Sequence, residues 1–314
     1  RSTVEVIHIQ TPKEPKLPPL AMAIGSFDGV HLGHQQVIGT AKQIAEENGW
    51  KSAVMFFHPS PKEVLGKGPV RYLTLLDEKI QLLEQLGIDY SFVVPFTKDF
   101  ANKSPETFVD EYIVGLNVKH VVAGFDFTYG KFGKGNMETL KIHSEGRFTQ
   151  TTVGAITRQG EKISSTYIRE LIRTGDVAEV PDFLGRFYSH KATVIHGKKR
   201  GAKLGFPTAN LDVDPRYVLP EKYGVYAARL FVKGQWHNGV LNIGTNPTFF
   251  NQVERPFVEI YLFEFSDTIY GEEVVLEWHK FQREELKFDR IDDLITQMEK
   301  DENEARDYFA RLKR

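Results

Sequence analysis

Short apolar runs alternate with segments of helical period through the first part of the chain. Leu20–Phe27 is predicted to be a strand, Gly33–Asn48 an amphipathic helix and Ser52–Phe57 a second strand. Thr74 is placed to cap a helix that runs to about Leu86 and stops at Gly87, with Asp77 and Glu78 in its first turn. Tyr90–Pro95 gives a third strand. Ser104-Pro105-Glu106 is a strong helix start, a capping side chain followed by proline at the first helical position. Lys119–Ala123 makes a fourth strand, and a glycine-rich loop follows from Gly124 to Gly135. This alternation predicts a doubly wound α/β domain, a parallel sheet covered by helices on both faces.

The rhythm then changes. A helical segment, Ser164–Thr174, ends at Gly175-Asp176 and leads to Pro181-Asp182-Phe183-Leu184-Gly185. Beyond it come short β-rich runs: Ala192–His196, Val225–Lys233, Trp236–Ile243, Val258–Phe265 and Glu273–Lys280. Turn residues such as Lys233-Gly234 and Tyr270-Gly271 separate them, which predicts a compact antiparallel barrel. A last helix, Arg290–Arg311, carries Ile291, Leu294, Ile295, Met298, Ala305, Tyr308 and Phe309 at the spacing of a buried stripe. These patterns divide the chain into domains 1–185 and 186–314.

Composition narrows the class. Hydrophobic residues make up 41% and charged residues 26% of the 314, as in an ordinary globular protein. A formal net charge of −2 gives no reason to expect nucleic acid as a partner, although local basic loops can still bind phosphates. Cysteine is absent, which removes disulfides, thiolate nucleophiles and cysteine-ligated metals and suits a reducing compartment. No apolar run approaches membrane-spanning length, and the N-terminus lacks a signal-peptide pattern; the expectation is a cytoplasmic protein without a membrane partner. A start at Arg1 suggests a trimmed or tag-derived end.

The densest chemistry lies in Gly25-Ser26-Phe27-Asp28-Gly29-Val30-His31-Leu32-Gly33-His34, where a strand gives way to a helix. Glycines let backbone approach a ligand there, and a helix N-terminus is a ready phosphate site. His31 and His34 add hydrogen-bond donors where charge builds on a phosphoryl group. Ser164-Ser165-Thr166 reads either as a plain helix cap or as further phosphate contacts. In the second half, His196 to Gly205 is a basic, glycine-punctuated loop, either an exposed hairpin or a phosphate flap. Glu259 interrupts an apolar strand and faces opposite to Val258 and Ile260, a solvent-facing carboxylate or a base.

Motifs in both halves resemble, in order, those of the prokaryotic bifunctional riboflavin kinase/FMN adenylyltransferase family, the FAD synthetases. The Gly25–His34 segment is similar to the family's nucleotidyltransferase signature, Ile163–Arg169 to its second signature, and Gly205-Phe206-Pro207-Thr208-Ala209-Asn210 to the riboflavin kinase signature. The resemblance implies a six-stranded barrel and two reactions: riboflavin plus ATP to FMN plus ADP in the C-terminal half, and FMN plus ATP to FAD plus pyrophosphate in the N-terminal half. It implies that Gly25, Phe27, Asp28, Gly33 and the two histidines bind ATP, with Ser165, Thr166 and Arg169 on the leaving phosphates. Asp126 in Gly124-Phe125-Asp126-Phe127 takes a flavin- or nucleotide-contacting position, although Phe125 and Phe127 could equally be core residues. In Met55–Pro61, Phe57 matches the family's aromatic position. In the kinase half the resemblance implies Gly197, Arg200, Gly201 and Gly205 in the flap, and Thr208 and Asn210 as oxygen ligands of Mg²⁺. It makes Glu259 the catalytic base and Asn242 and Arg283 part of the binding segments.

Four positions depart from the pattern: Ser60 stands where histidine is usual, Tyr167 and Asn246 where arginine is frequent, and Glu284 where proline is frequent. The first two motivate an alternative, chiefly a kinase with a weakened adenylyltransferase half. A flavin-binding sensor or transport-associated protein is a third reading. Expected partners are the small molecules ATP, riboflavin and FMN, with oligomeric state left open.

Overall fold

The structure is a computed structural model that describes residues 4–9, 16–197, 204–250 and 253–312, with backbone alone at 245–250 and 253–255. Arg200 and Gly201 lie outside the described residues, as does the side chain of Asn246. Contacts divide the chain into two compact units, residues 1–165 and 166–314.

The first unit is built on six parallel strands: β1 Glu5–His8, β2 Leu20–Ile24, β3 Lys51–Phe57, β4 Tyr90–Val94, β5 Val118–Gly124 and β6 Thr149–Val153. Their order is β1-β4-β3-β2-β5-β6. Strand alternation feeds two separate cores. Met22, Ile24, Met55, Phe92, Val94, Val121 and Ala123 join one, with Phe108 and Tyr112 of helix α3, Pro105–Tyr112. Ala23, Val54, Phe56, Val93 and Val122 join the other, with Val37, Ile38 and Ala41 of α1, Leu32–Asn48, and Leu83 of α2, Leu76–Gln85. The doubly wound sheet expected from the pattern is therefore present. The chain leaves β2 toward β3 on one side and later returns to β5 on the other, so β2 is the topological switch point. In such sheets ligands bind beyond the carboxyl end of that strand, which is where Gly25–His34 begins.

Local chemistry explains most boundaries. The Ser104 hydroxyl accepts from Thr107 N at 3.1 Å and Pro105 opens α3, as predicted. Gly49, at φ 69°, closes α1 in the left-handed region. Three expectations change. The first strand ends at Ile24 rather than Phe27, because Phe27 takes φ 52°. Thr74 does not cap α2. Leu75 is the cap residue, its N–H donating to Glu78 Oε1 at 2.8 Å, while Thr74 turns to the Gly25–His34 loop. Strands β1 and β6 have no counterpart among the predicted runs.

The second unit opens with α4, Ser165–Arg173, whose first residue belongs to the first unit. Its barrel is closed by six strands: β7 Ser189–Ile195, β8 Ala209–Asp212, β9 Gly224–Val232, β10 Gln235–Phe250, β11 Val253–Leu262 and β12 Glu273–Glu284. The order around the barrel is β7-β8-β11-β10-β9-β12, antiparallel throughout. Trp278, Tyr226, Leu230, Leu241, Ile260 and Leu276 are completely buried within this unit. His190 is buried with them. Its Nε2 accepts from Trp278 Nε1 at 2.9 Å, and burial pushes its pKa down to about 4. The terminal helix, α5 Ile291–Arg311, buries Ala305 and Phe309 as expected, but Ile291 is exposed and Leu294, Ile295 and Met298 are only half-buried.

Candidate active sites

Beyond β2 the chain makes a tight loop in which Phe27, Gly29 and Val30 all have positive φ, at 52°, 87° and 46°. Left-handed backbone at two non-glycine residues is strained and must be held from outside. The Asp28 carboxylate, 5% exposed, accepts from Leu73 N at 3.1 Å and Thr74 N at 3.1 Å. Thr74 Oγ1 accepts from Gly29 N at 3.0 Å. Asp28, expected among the nucleotide-binding residues, thus has its carboxylate turned to neighbouring backbone. Gly25 is closely approached by the Phe27 ring, at 3.0 Å from where a β-carbon would stand.

His31 and His34 form the helix cap themselves. His34 N donates to His31 Nδ1 at 3.1 Å, and His31 N donates to His34 Nδ1 at 3.2 Å, a capping box in which both side chains are imidazoles. The rings stack with centroids 3.4 Å apart, and Phe27 meets His34 edge-on at 5.4 Å. A ring nitrogen that accepts from an amide carries no proton, so the cap places each neutral ring's proton on Nε2. Gly33 is required by this packing, because a β-carbon there would lie 2.9 Å from the His31 ring. Ser165 Oγ donates to Asp28 O at 2.8 Å, a bond within the first unit. Thr166 and Arg169 follow on that helix, exposed and half-buried respectively.

The barrel assembles its polar residues by register. Asn210 of β8 pairs with Glu259 of β11, and Glu259 pairs with Asn242 of β10. The three side chains therefore share one face, opposite the buried Val258, Ile260, Leu241 and Ile243. Thr208 Oγ1 donates weakly to Glu259 Oε2 at 3.4 Å. Asn242 Oδ1 is buried without a hydrogen-bond partner, an acceptor that a bound donor would satisfy. Gly197 sits on Asn210: a β-carbon would fall 2.0 Å from the amide carbon. Gly205, at φ 89°, makes the turn before Phe206.

The FAD synthetase family model matches residues 13–167 and the riboflavin kinase model residues 184–309. A Bacillus subtilis bifunctional riboflavin kinase/FMN adenylyltransferase is 49% identical across 99% of this chain and 100% of its own length. The chain belongs to this bifunctional family. The Listeria monocytogenes member is 48% identical, covering 93% of each chain. A solved Streptococcus pneumoniae chain, described as a macrolide-efflux protein, is 32% identical and superposes with a TM-score of 0.88 over 96% of this chain and 99% of that one. Among the described residues no helix is long and apolar enough to cross a membrane.

Two of the four departures, Ser60 and Tyr167, have local explanations here. Ser60 caps a short helix, Pro61–Leu65, with Glu63, and its hydroxyl lies 3.1 Å from Tyr72 Oη. Burial and Glu63 push the Tyr72 pKa up to about 12. Tyr167 packs edge-on against Phe183 at 4.9 Å. Arg283 clasps the Asp301 carboxylate of α5 at 2.8 and 2.7 Å, so its guanidinium anchors the terminal helix. Phe57 packs against Phe96 and Phe100, at 6.0 and 5.3 Å, on the edge of the core. Asp126 is exposed and 3.8 Å from Lys162 Nζ, which also lies 5.0 Å from the exposed Phe125 ring. Sequence reading missed Thr74 and Asp301. It also missed Lys79, whose signal is a cation within an apolar stripe formed by Leu76 and Leu83 of α2 and Leu86 just after it.

Proposed function

We propose that the two halves carry consecutive steps of FAD formation, adenylyl transfer at the Gly25–His34 loop and riboflavin phosphorylation at the Glu259 face. The mutual His31–His34 cap at the sheet's switch point is the observation that carries this reading. In the first reaction a phosphate oxygen of FMN attacks the α-phosphorus of ATP, the bond to the bridging oxygen breaks, and pyrophosphate leaves. No covalent enzyme intermediate is needed, so catalysis is positioning plus stabilisation of phosphoryl oxygens by fixed donors. His31 and His34 supply those donors as neutral rings, and Ser165, bonded to Asp28 O, borders the loop on the side of the leaving phosphates.

In the second reaction Glu259 takes the proton of the terminal ribityl hydroxyl as its oxygen attacks the γ-phosphorus and ADP departs. Asn242 Oδ1 accepts from substrate. Thr208 and Asn210 offer a hydroxyl and an amide oxygen beside this carboxylate, an all-oxygen set that suits Mg²⁺. Bound there with the nucleotide, the ion would neutralise phosphate charge. The cysteine-free composition fits a cytoplasmic setting.

Incubation with riboflavin, ATP and Mg²⁺, followed by chromatographic separation of flavins, tests the scheme. FMN and then FAD should accumulate. FMN without any FAD at high enzyme would favour a kinase alone, and flavin binding without turnover would favour a sensor.

A further inference from the structure

Lys79 of α2 is the unusual cation of the first unit. It is 8% exposed, and its ammonium donates to the Ser26 carbonyl at 2.8 Å across 53 residues of sequence. The same ammonium lies over the Phe56 ring, 4.4 Å from its centre. With Leu73 and Thr74 on Asp28 and Gly29, the segment 73–79 grips the loop at Ser26, Asp28 and Gly29. Phe27 lies between those grips. Its φ of 52° is a rotation relative to the Ser26–Phe27 peptide plane, so fixing the Ser26 oxygen fixes the plane from which the strained residue departs. The Phe27 ring in turn bears on His34.

We propose that Lys79 is a positioning residue for adenylyl transfer, acting through Ser26 and Phe27 to hold the His31–His34 pair in place. This rests on the loop being the adenylyl-transfer site. The charge matters as well as the N–H, since a charged donor makes roughly twice as strong a hydrogen bond as a neutral one. Burial pushes the Lys79 pKa down to about 8, opposed by the carboxylates of Asp28 in the loop and Glu63 in the Pro61–Leu65 helix. Tyr72, bonded to Glu63, stays neutral over that range. Above about pH 8 the ammonium becomes an amine and its grip on Ser26 weakens.

The test uses the full-length enzyme, with riboflavin phosphorylation as an internal control of folding. Lys79→Met removes the donor and keeps the length of the side chain; Lys79→Arg keeps a permanent charge. Lys79→Met should lower kcat for FAD formation from FMN by about tenfold to a hundredfold, the scale of a misplaced catalytic group. KM for FMN and ATP should change far less, FMN formation should be unchanged, and the melting temperature should not fall. The wild type should lose FAD formation above about pH 8, a limb that Lys79→Arg abolishes or moves to higher pH and that FMN formation does not share. Full FAD formation by Lys79→Met in an enzyme whose wild type is active would sink the role of Lys79 alone. A loss that tracks a lower melting temperature, or an alkaline limb that persists unchanged in Lys79→Arg, would do the same. A wild type that makes no FAD from FMN would overturn both this role and the site reading beneath it.

Discussion

The Gly25–His34 loop and the barrel face around Glu259 both put polar atoms where phosphate chemistry needs them, by opposite means. In the loop, nearly every polar group is engaged with another part of the same unit. The histidines cap a helix through each other, Asp28 holds Leu73 and Thr74, and Lys79 holds Ser26. On the barrel, strand register does the placing: Asn210, Glu259 and Asn242 share a face through their ladder, and the Asn242 oxygen is buried without a partner among the described residues. A loop in left-handed backbone has no ladder to keep its shape, so side chains must supply the scaffold. A strand has its shape already, and its side chains need not supply it. The first site should therefore depend on residues that never meet substrate, the second mainly on those that do.

The sharpest division of the two sites comes from removing one reacting group in each. Glu259→Gln should cost about a hundredfold to ten-thousandfold in FMN formation and leave FAD formation from supplied FMN intact. His31→Ala should do the converse, abolishing FAD formation while FMN accumulates, and it should also cost about 1 kcal/mol through the lost cap. Separated flavin assays on both variants check this; loss of both activities in a folded variant would break the separation.

Next in size is an anchor on the barrel side. Asp301 is 3% exposed and holds Arg283, so Asp301→Ala should destabilise the second unit by about 3–5 kcal/mol, read from its denaturant midpoint. Comparable in size is a pH effect in the barrel interior. In the unfolded chain His190 takes a proton near pH 6.5, but in the barrel not until about pH 4. Acidification thus favours the unfolded state. Stability present above about pH 6.5 should be lost progressively toward pH 4, about 3 kcal/mol in all, and His190→Leu should flatten that dependence. The smallest effect belongs to the loop side. Ser60→Ala should cost about 1 kcal/mol as a lost cap and leave FAD formation near wild type. A large loss of FAD formation would show that Ser60 does more than hold its helix.

Much of this molecule is written in local pattern. Ser104-Pro105 starts α3 where read, the alternating strands fill two cores, and the histidine motif falls at the switch point. What escaped local reading has a distant partner. Thr74 looked like a cap because the hydroxyl's partner, Gly29, lies 45 residues away. The partners of Asp28 were not legible, because a carboxylate in a glycine-rich loop gives no hint of the amides of Leu73 and Thr74. Lys79 is absent from the sequence-based site residues, although its place in an apolar stripe marks it as buried. Strands β1 and β8 are four residues each, too short for a period to emerge. The second is embedded in the kinase signature, where the loop residues before it dominate the pattern.

The pairing of Asn210, Glu259 and Asn242 gives the barrel something like a reading frame. Each strand contributes one residue, and the three meet only because all are counted from the same ladder. Adding or deleting one residue in β11 upstream of Glu259 would send its carboxylate to the apolar interior and bring Val258 or Ile260 to the outer face. The chain's chemistry in this half is therefore tolerant of many substitutions but intolerant of a change in length, and inherited variation in strand length should be confined to the turns.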